Sequence, residues 1–210
     1  MATTTSTFYR NIAGEVFAPL YPYYARLIVE KTGIRSGRCL DVGCGGGHLG
    51  LAVAEITDLA ISLLDQSAEA LTVARENIEQ HSLASRMDLI QASVESIPLP
   101  DASFDLIVSR GSVPFWQNLA AAFGEIWRLL KPDGQAYIGG GLGTPEMREK
   151  IQTAMRKRDP QWHKQMQTGI PRRDVSEYSQ ALYEAGIRSF NVDKGDEGTW
   201  IRFHKMTSRP

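Results

Sequence analysis

At 210 residues, 42% hydrophobic and 22% charged, the chain has an ordinary globular composition and is long enough for one sizeable core without disulfide or metal support. Its 23 basic and 24 acidic residues nearly cancel, so no overall basic field draws it onto nucleic acid. Cys39 and Cys44 have no second pair and no clustered histidines; they suit neither a zinc site nor a disulfide framework and read as small packing residues. Residues 1–7 are polar and threonine-rich, with no apolar core of a signal peptide, and no run is long enough to span a bilayer. The expectation is a cytoplasmic protein with a single domain over 1–210, of unspecified oligomeric state.

Residues 8 to 32 carry a dense aromatic set, Phe8, Tyr9, Phe17, Tyr21, Tyr23 and Tyr24, divided by Pro19 and Pro22. A helix is predicted from Pro22, tolerated in a first turn, to Lys31, with Gly33 as its stop. The aromatics either pack this helix on a sheet or form a lid over a ligand. Leu40 and Val42 then read as the end of a buried strand that stops at Asp41, Gly43, Gly45 and Gly47, and His48 to Ile56 as a helix whose N-terminus points at a ligand. The dinucleotide fingerprint would need a further glycine where His48 stands, and no Gly-Lys-Ser/Thr of a phosphate loop is present.

Leu59 to Leu64 is a second buried strand ending at Asp65, whose carboxylate can accept both hydroxyls of a ribose; Gln66 follows it, and Ser67 can cap the next helix, with Leu71, Ala74 and Ile78 facing the sheet. Met87 to Ala92 is a third strand, followed by Ser93, Val94 and Glu95. Phe104 to Ser109 is a fourth, leaving through Arg110, Gly111 and Ser112 at the end where ligands sit in open α/β sheets. Asn118 to Lys131 is an amphipathic helix with Trp127 on its core side, and Pro132-Asp133-Gly134 turns into a strand over Gln135 to Ile138. The glycines from Gly139 to Gly143 are either a flexible joint or a close backbone approach to a pocket.

An acid followed by three alternating glycines, a second acid at the end of strand two and the Pro-Asp-Gly turn before strand five together resemble the class I S-adenosylmethionine-dependent methyltransferases over nearly the whole chain. The resemblance implies a three-layer α/β sandwich around a Rossmann-like, mostly parallel seven-stranded sheet with an antiparallel last strand. It implies S-adenosylmethionine as cofactor and S-adenosylhomocysteine as product. The methionine end would lie on Asp41 and on Gly43, Gly45 and Gly47, the ribose on Asp65 with Gln66 beside it, and the adenine against Ser93, Val94 and Glu95. Ser93 stands where the family often has an acid. Tyr9 and Ser109 complete the expected cofactor set, while Arg110, Ser112 and Tyr21 are the candidates near the reacting atoms, with His163 a further one. No asparagine or aspartate before Pro-Pro-Tyr follows strand four, which argues against methylation of exocyclic amines of DNA or of protein glutamine.

Residues 1–36 would form the aromatic lid and 144–173 a helical insertion or cap, rich in Arg148, Lys150, Arg156, Lys157, Arg158, Lys164, Arg172 and Arg173; that charge is either a solvated face or a lure for an anionic acceptor. Asp174 to Glu177 has the spacing of a capping box, and Arg188 to Asp193 and Thr199 to His204 read as two closing strands. A small-molecule acceptor is expected. Two other readings stay open: a nicotinamide-dependent oxidoreductase, since Asp65 suits any adenine ribose, and a non-catalytic protein that senses the cofactor.

Overall fold

The computed structural model describes residues 8–159 and 173–206. A π-helical segment, Phe8–Val16, precedes α1, Leu20–Thr32, which ends at Gly33 in the left-handed conformation with its N–H on the Val29 carbonyl. Then follow β1, Arg38–Val42; α2, His48–Glu55; β2, Ala60–Asp65; α3, Ala68–Gln80; β3, Met87–Gln91; and β4, Phe104–Arg110. The second half comprises α4, Leu119–Leu129; β5, Leu130–Gly140; α5, Pro145–Arg158; α6, Val175–Glu184; β6, Phe190–Gly195; and β7, Gly198–His204. Ser67 caps α3 by accepting from the Ala70 N–H at 3.2 Å, and Asp174 and Glu177 form the capping box of α6.

The strands make one seven-stranded sheet in the order β3-β2-β1-β4-β5-β7-β6. β1 to β5 run parallel, β7 is antiparallel to β5, and β6 pairs with β7 as a hairpin. Alternation along each strand feeds two cores. Cys39, Ile61, Leu63, Leu106 and Val108 pack with α1, α2 and α3, joined by Ile151 and Met155 of α5, while Leu40, Val42, Leu64, Ile107 and Ile138 pack with α4 and α6. The sheet therefore lies between two helical layers.

Three expectations need adjustment. β5 begins at Leu130, five residues before the predicted strand, and Pro132-Asp133-Gly134 is a bulge inside it: Phe104 pairs with Leu130, but the next partner, Leu106, faces Gln135. Trp127 is only half-buried at the rim of its core, where it packs on Phe203 and the Lys205 ammonium. The 144–173 insertion begins with α5, capped by Thr144 accepting from the Met147 N–H, and two of its residues belong to the core. Trp162 and His163 lie outside the described residues. No described helix is long and apolar enough to cross a membrane.

The second glycine run has a packing cause. A Cβ on Gly141 would stand 1.8 Å from the Glu197 carbonyl oxygen, so the exit of β5 closes against the β6–β7 turn only because side chains are missing. Tyr24, fully buried, braces the same corner: its hydroxyl donates to the Glu197 carbonyl at 3.0 Å and accepts from the Gly143 N–H at 2.9 Å. The close approach this stretch makes is to the β6–β7 turn, and Gly139 to Gly141 also border the large cavity. Gly141→Ala should lower stability by about 1–3 kcal/mol or more, as overpacking against backbone does, read from the urea midpoint. A midpoint equal to wild type would mean that the corner is loosely packed.

Candidate functional site

A cavity of about 1030 Å³ opens at the carboxyl ends of β1, β2, β4 and β5, where the strand order reverses between β1 and β4. That is at the upper limit of the roughly 300–1,000 Å³ of small-molecule sites, room for a nucleoside and a second molecule.

Asp41 and Asp65 terminate neighbouring strands and hold the glycine turn between them. Asp65 is 8% exposed; its Oδ2 accepts from the Gly45 N–H at 2.8 Å and its Oδ1 from the Ser67 N–H at 2.9 Å. Asp41, 1% exposed, accepts from the Gly50 N–H at 2.9 Å, one of the donors that the first turn of α2 leaves without an intrahelical partner. Each carboxylate oxygen has a second lone pair to offer a ligand. Burial pushes the Asp41 carboxyl up from 3.8 to about 7; the Gly50 hydrogen bond opposes this and the nearby Asp65 charge adds to it.

Three of the turn's N–H groups are used within the protein. The N–H groups of Cys44, Gly45 and Gly47 bond to Leu64 O, Asp65 and Cys44 O. Gly43 borders the cavity, whereas Gly45 and Gly47 do not. Gly43 sits at φ 65°, and a Cβ there would stand 2.4 Å from the Cβ of Ser112, so a glycine lets the loop after β4 lie directly on the turn.

Ser112 is that loop's clamp. Its hydroxyl meets Ser109 Oγ at 2.6 Å, donates to the Val42 carbonyl at 3.2 Å and accepts from Trp116 Nε1 at 3.1 Å. One donor and two acceptor sites are thereby used within the protein. Ser109 is fully buried, its hydroxyl serves Ser112, and it does not face the cavity, so it supports the loop instead of touching a cofactor.

Gln66, Ser93, Val94 and Glu95 line the cavity beyond Asp65. Ser93 donates to Glu95, and Glu95 also accepts from the Gln117 N–H at 2.8 Å. Burial alone would raise the Glu95 carboxyl, but these hydrogen bonds together hold it below the usual range. Glu95 thus places a carboxylate two residues after Ser93, with part of its hydrogen-bonding capacity spent on the loop.

At the other end, Arg110 lies under an aromatic cover. Its guanidinium stands 5.6, 5.3 and 5.7 Å from the ring centres of Phe17, Tyr21 and Tyr24, and donates to the Gly141 carbonyl at 2.9 Å. Tyr21 stacks on His48, ring centres 5.0 Å apart. Burial raises the Tyr21 phenol to about 12, with Arg110 pulling it down and Asp41 pushing it up; at neutral pH it is a proton-holding donor and no base. Tyr9 is in the π-helical segment, and its side chain is outside what the structure describes. Arg158 of α5 pairs with Glu15 and donates to the Asn11 carbonyl, and Arg10 pairs with Glu76, so the segment is tied on two sides.

Phe8 and Phe17, named in the possible lid, line the cavity, as do His48 and Trp116, which sequence reasoning did not place there, and Cys44, which it read as a small packing residue. Only the tertiary arrangement brings them there; the aromatic density of residues 8–24 was the one available signal. Arg173 stood out only as part of a basic run, of which, among the described residues, it alone reaches the cavity.

A methyltransferase-domain family model matches residues 40–138, from within β1 to the end portion of β5. A solved structure from Methanococcus maripaludis, described as a candidate S-adenosyl-L-methionine-dependent methyltransferase, is 38% identical, covers 100% of this chain and 96% of that one, and superposes with a TM-score of 0.90. The chain belongs to the class I S-adenosylmethionine-dependent methyltransferase family. Curated relatives of this methyltransferase include the sterol 24-C-methyltransferase erg6 of Aspergillus fumigatus, 26% identical over 98% of this chain and 56% of that protein. Another is the ubiquinone/menaquinone biosynthesis C-methyltransferase UbiE of Geotalea uraniireducens, 34% identical over 59% of each. The chain spans about half the length of the first curated relatives it matches.

The raised Asp41 carboxyl has a consequence for stability. A group that binds its proton more tightly when folded stabilises the fold fully below its unfolded value near 3.8, and this contribution is lost as pH rises toward about 7. Asp41→Asn should flatten that fall, comparing urea midpoints at about pH 4.5 and pH 7.5. The same slope in both proteins would contradict a buried, proton-holding Asp41.

Proposed function

We propose that this methyltransferase binds S-adenosylmethionine between Asp41 and Asp65 on one side and Ser93 to Glu95 on the other, and transfers its methyl group to a small-molecule acceptor. The observation that carries the reading is the pair of buried carboxylates ending adjacent strands beside a cavity large enough for two ligands. Two acids so close, one of them driven toward its neutral form, suit a ligand that brings positive charge to Asp41 and hydroxyl donors to Asp65.

Asp41 would hold the ammonium of the methionine end, Asp65 the ribose hydroxyls, Val94 its adenine through backbone contact, and Glu95 or Ser93 the exocyclic amine. Tyr21, Arg110 and His48 would close the methionine end. When bound, the cofactor supplies a sulfonium methyl whose carbon–sulfur bond breaks as an acceptor lone pair attacks from the opposite side. The protein's share is alignment and exclusion of water, the roles of the aromatic segment and of the loop clamped by Ser112. Tyr21 keeps its proton and can only donate.

The acceptor is proposed to be a small anionic molecule and the protein to act in the cytoplasm as one domain over 1–210, with the sterol and quinone methyltransferases among its relatives supporting the small-molecule class. The deciding experiment is calorimetric titration with S-adenosylmethionine and S-adenosylhomocysteine. Asp65→Ala should weaken both by about 1.5–3 kcal/mol, the range for hydrogen bonds to a charged group. Binding of NADH in place of both would overturn the reading in favour of an oxidoreductase, and tight cofactor binding with no label transferred to any metabolite extract would favour a sensor.

A further inference from the structure

The loop between β3 and β4 brings Ser93, Val94 and Glu95 to the edge of the cavity and then runs along α4. Hydrogen bonds fasten it there at both ends. Glu95 accepts from the N–H groups of Gln117 and Asn118, at 2.8 and 3.4 Å, just ahead of the first turn of α4. At the other end Ala102 and Ser103 donate to the carbonyls of Arg128 and Leu129 at 3.0 and 2.8 Å. Between these stands an ion pair on α4 itself, Glu125 with Arg128.

That pair grips both backbone groups of Ile97. Glu125 Oε2 accepts from the Ile97 N–H at 2.8 Å, and Arg128 donates to the Ile97 carbonyl at 3.0 Å. Arg128 also donates to the Leu99 carbonyl at 2.8 Å and to Asp101 at 2.7 Å, and it meets both oxygens of Glu125 at 2.8 Å. Every donor of the planar fork is thereby taken, an arrangement that the point charge of a lysine does not match. The Arg128 side chain is 29% and that of Glu125 20% exposed, and hydrogen bonding from Arg128 holds the Glu125 carboxyl below its ordinary range, so the pair is ionised at neutral pH and only partly screened by solvent. Val94 and Ile97 are buried, which sets the depth of the loop but not the direction of its peptides.

Direction is what a base would read. A backbone N–H at Val94 and oxygens at Ser93 and Glu95 form hydrogen bonds only when aimed, and a loose loop spends binding energy on becoming ordered. We propose that Glu125 and Arg128 are positioning residues of the cofactor site: through Ile97 they hold the wall from Ser93 to Glu95 in the orientation that selects adenine over bases lacking its exocyclic amine. Neither side chain borders the cavity, so the pair acts through the loop. The inference rests on the methyltransferase reading and deepens it by assigning the source of the site's base selectivity.

The test titrates wild type and variants calorimetrically with S-adenosylhomocysteine and with S-inosylhomocysteine, which differs in the base alone and carries an oxygen in place of the exocyclic amine. Wild type should prefer the adenosyl ligand by roughly tenfold or more, as expected where hydrogen bonds to a charged group are gained or lost. Arg128→Gln should lose most of that preference, by weakening the adenosyl ligand while leaving the inosyl ligand about where it was. If that variant misfolds, Glu125→Gln decides: it keeps an oxygen for the Ile97 N–H but withdraws the charge from Arg128, and it should reduce the preference in the same direction. A preference unchanged in a folded variant, with only the melting temperature lowered, would make the pair a purely structural clamp and overturn the proposal. Equal weakening of both ligands in the variants, or a wild type that binds both alike, would overturn it too. A wild type that binds neither ligand would instead sink the methyltransferase reading itself.

Discussion

Two carboxylates buried side by side at the ends of adjacent parallel strands set the terms for the rest of this structure. Charges out of water need hydrogen bonds, and here backbone N–H groups after β1 and β2 supply them. Asp65 therefore folds the glycine turn back on itself through Gly45, and Asp41 takes the Gly50 N–H from the first turn of α2. The glycines are needed for this closeness: the loop carrying Ser112 lies where a side chain on Gly43 would be. The pair is satisfied but not neutralised, as the raised Asp41 carboxyl shows. A cationic ligand would complete what the backbone leaves unfinished.

The opposite half of the cavity is organised by the same economy with the signs reversed. There, the Arg110 guanidinium lies among the rings of Phe17, Tyr21 and Tyr24 and donates to the Gly141 carbonyl. Arg110 depends on three aromatic faces from the segment before β1, which in turn is tied down by Arg10 with Glu76 and by Arg158 with Glu15. Lid and cation thus hold each other: the aromatics keep Arg110 from water, and Arg110 gives the rings a reason to lie over the cavity. The Tyr24 brace to Gly143 and Glu197 fixes the floor against which both rest.

Hydroxyl groups show how poorly residue type predicts role. Ser112 stands after β4 beside the cavity, the expected position for a reacting group, and its hydroxyl fastens the loop through Val42, Ser109 and Trp116. Ser93 is similarly occupied with Glu95. A hydroxyl seen in sequence has one donor and two acceptor sites to give, and only the fold says to whom.

The strand-turn-helix around Asp41, the acid closing β2, the caps at Ser67 and Asp174 and the final hairpin were all legible in the sequence, because each rests on contacts between residues close in the chain. Alternation of helical and strand patterns pointed to the α/β layers, and the resemblance to the methyltransferases supplied the reversed last strand. The start of β5 was misjudged because a Pro-Asp-Gly bulge inside a strand looks, locally, like a turn between two elements. What the sequence could not decide was the far side of the cavity. Arg110, Arg173, Phe17, Phe115 and Trp116 are separated by up to 156 positions between Phe17 and Arg173, and no local pattern says that they border one space. Their meeting follows from the order of strands in the sheet and from how α1 and α6 pack against it, which are long-range choices that only the folded chain makes.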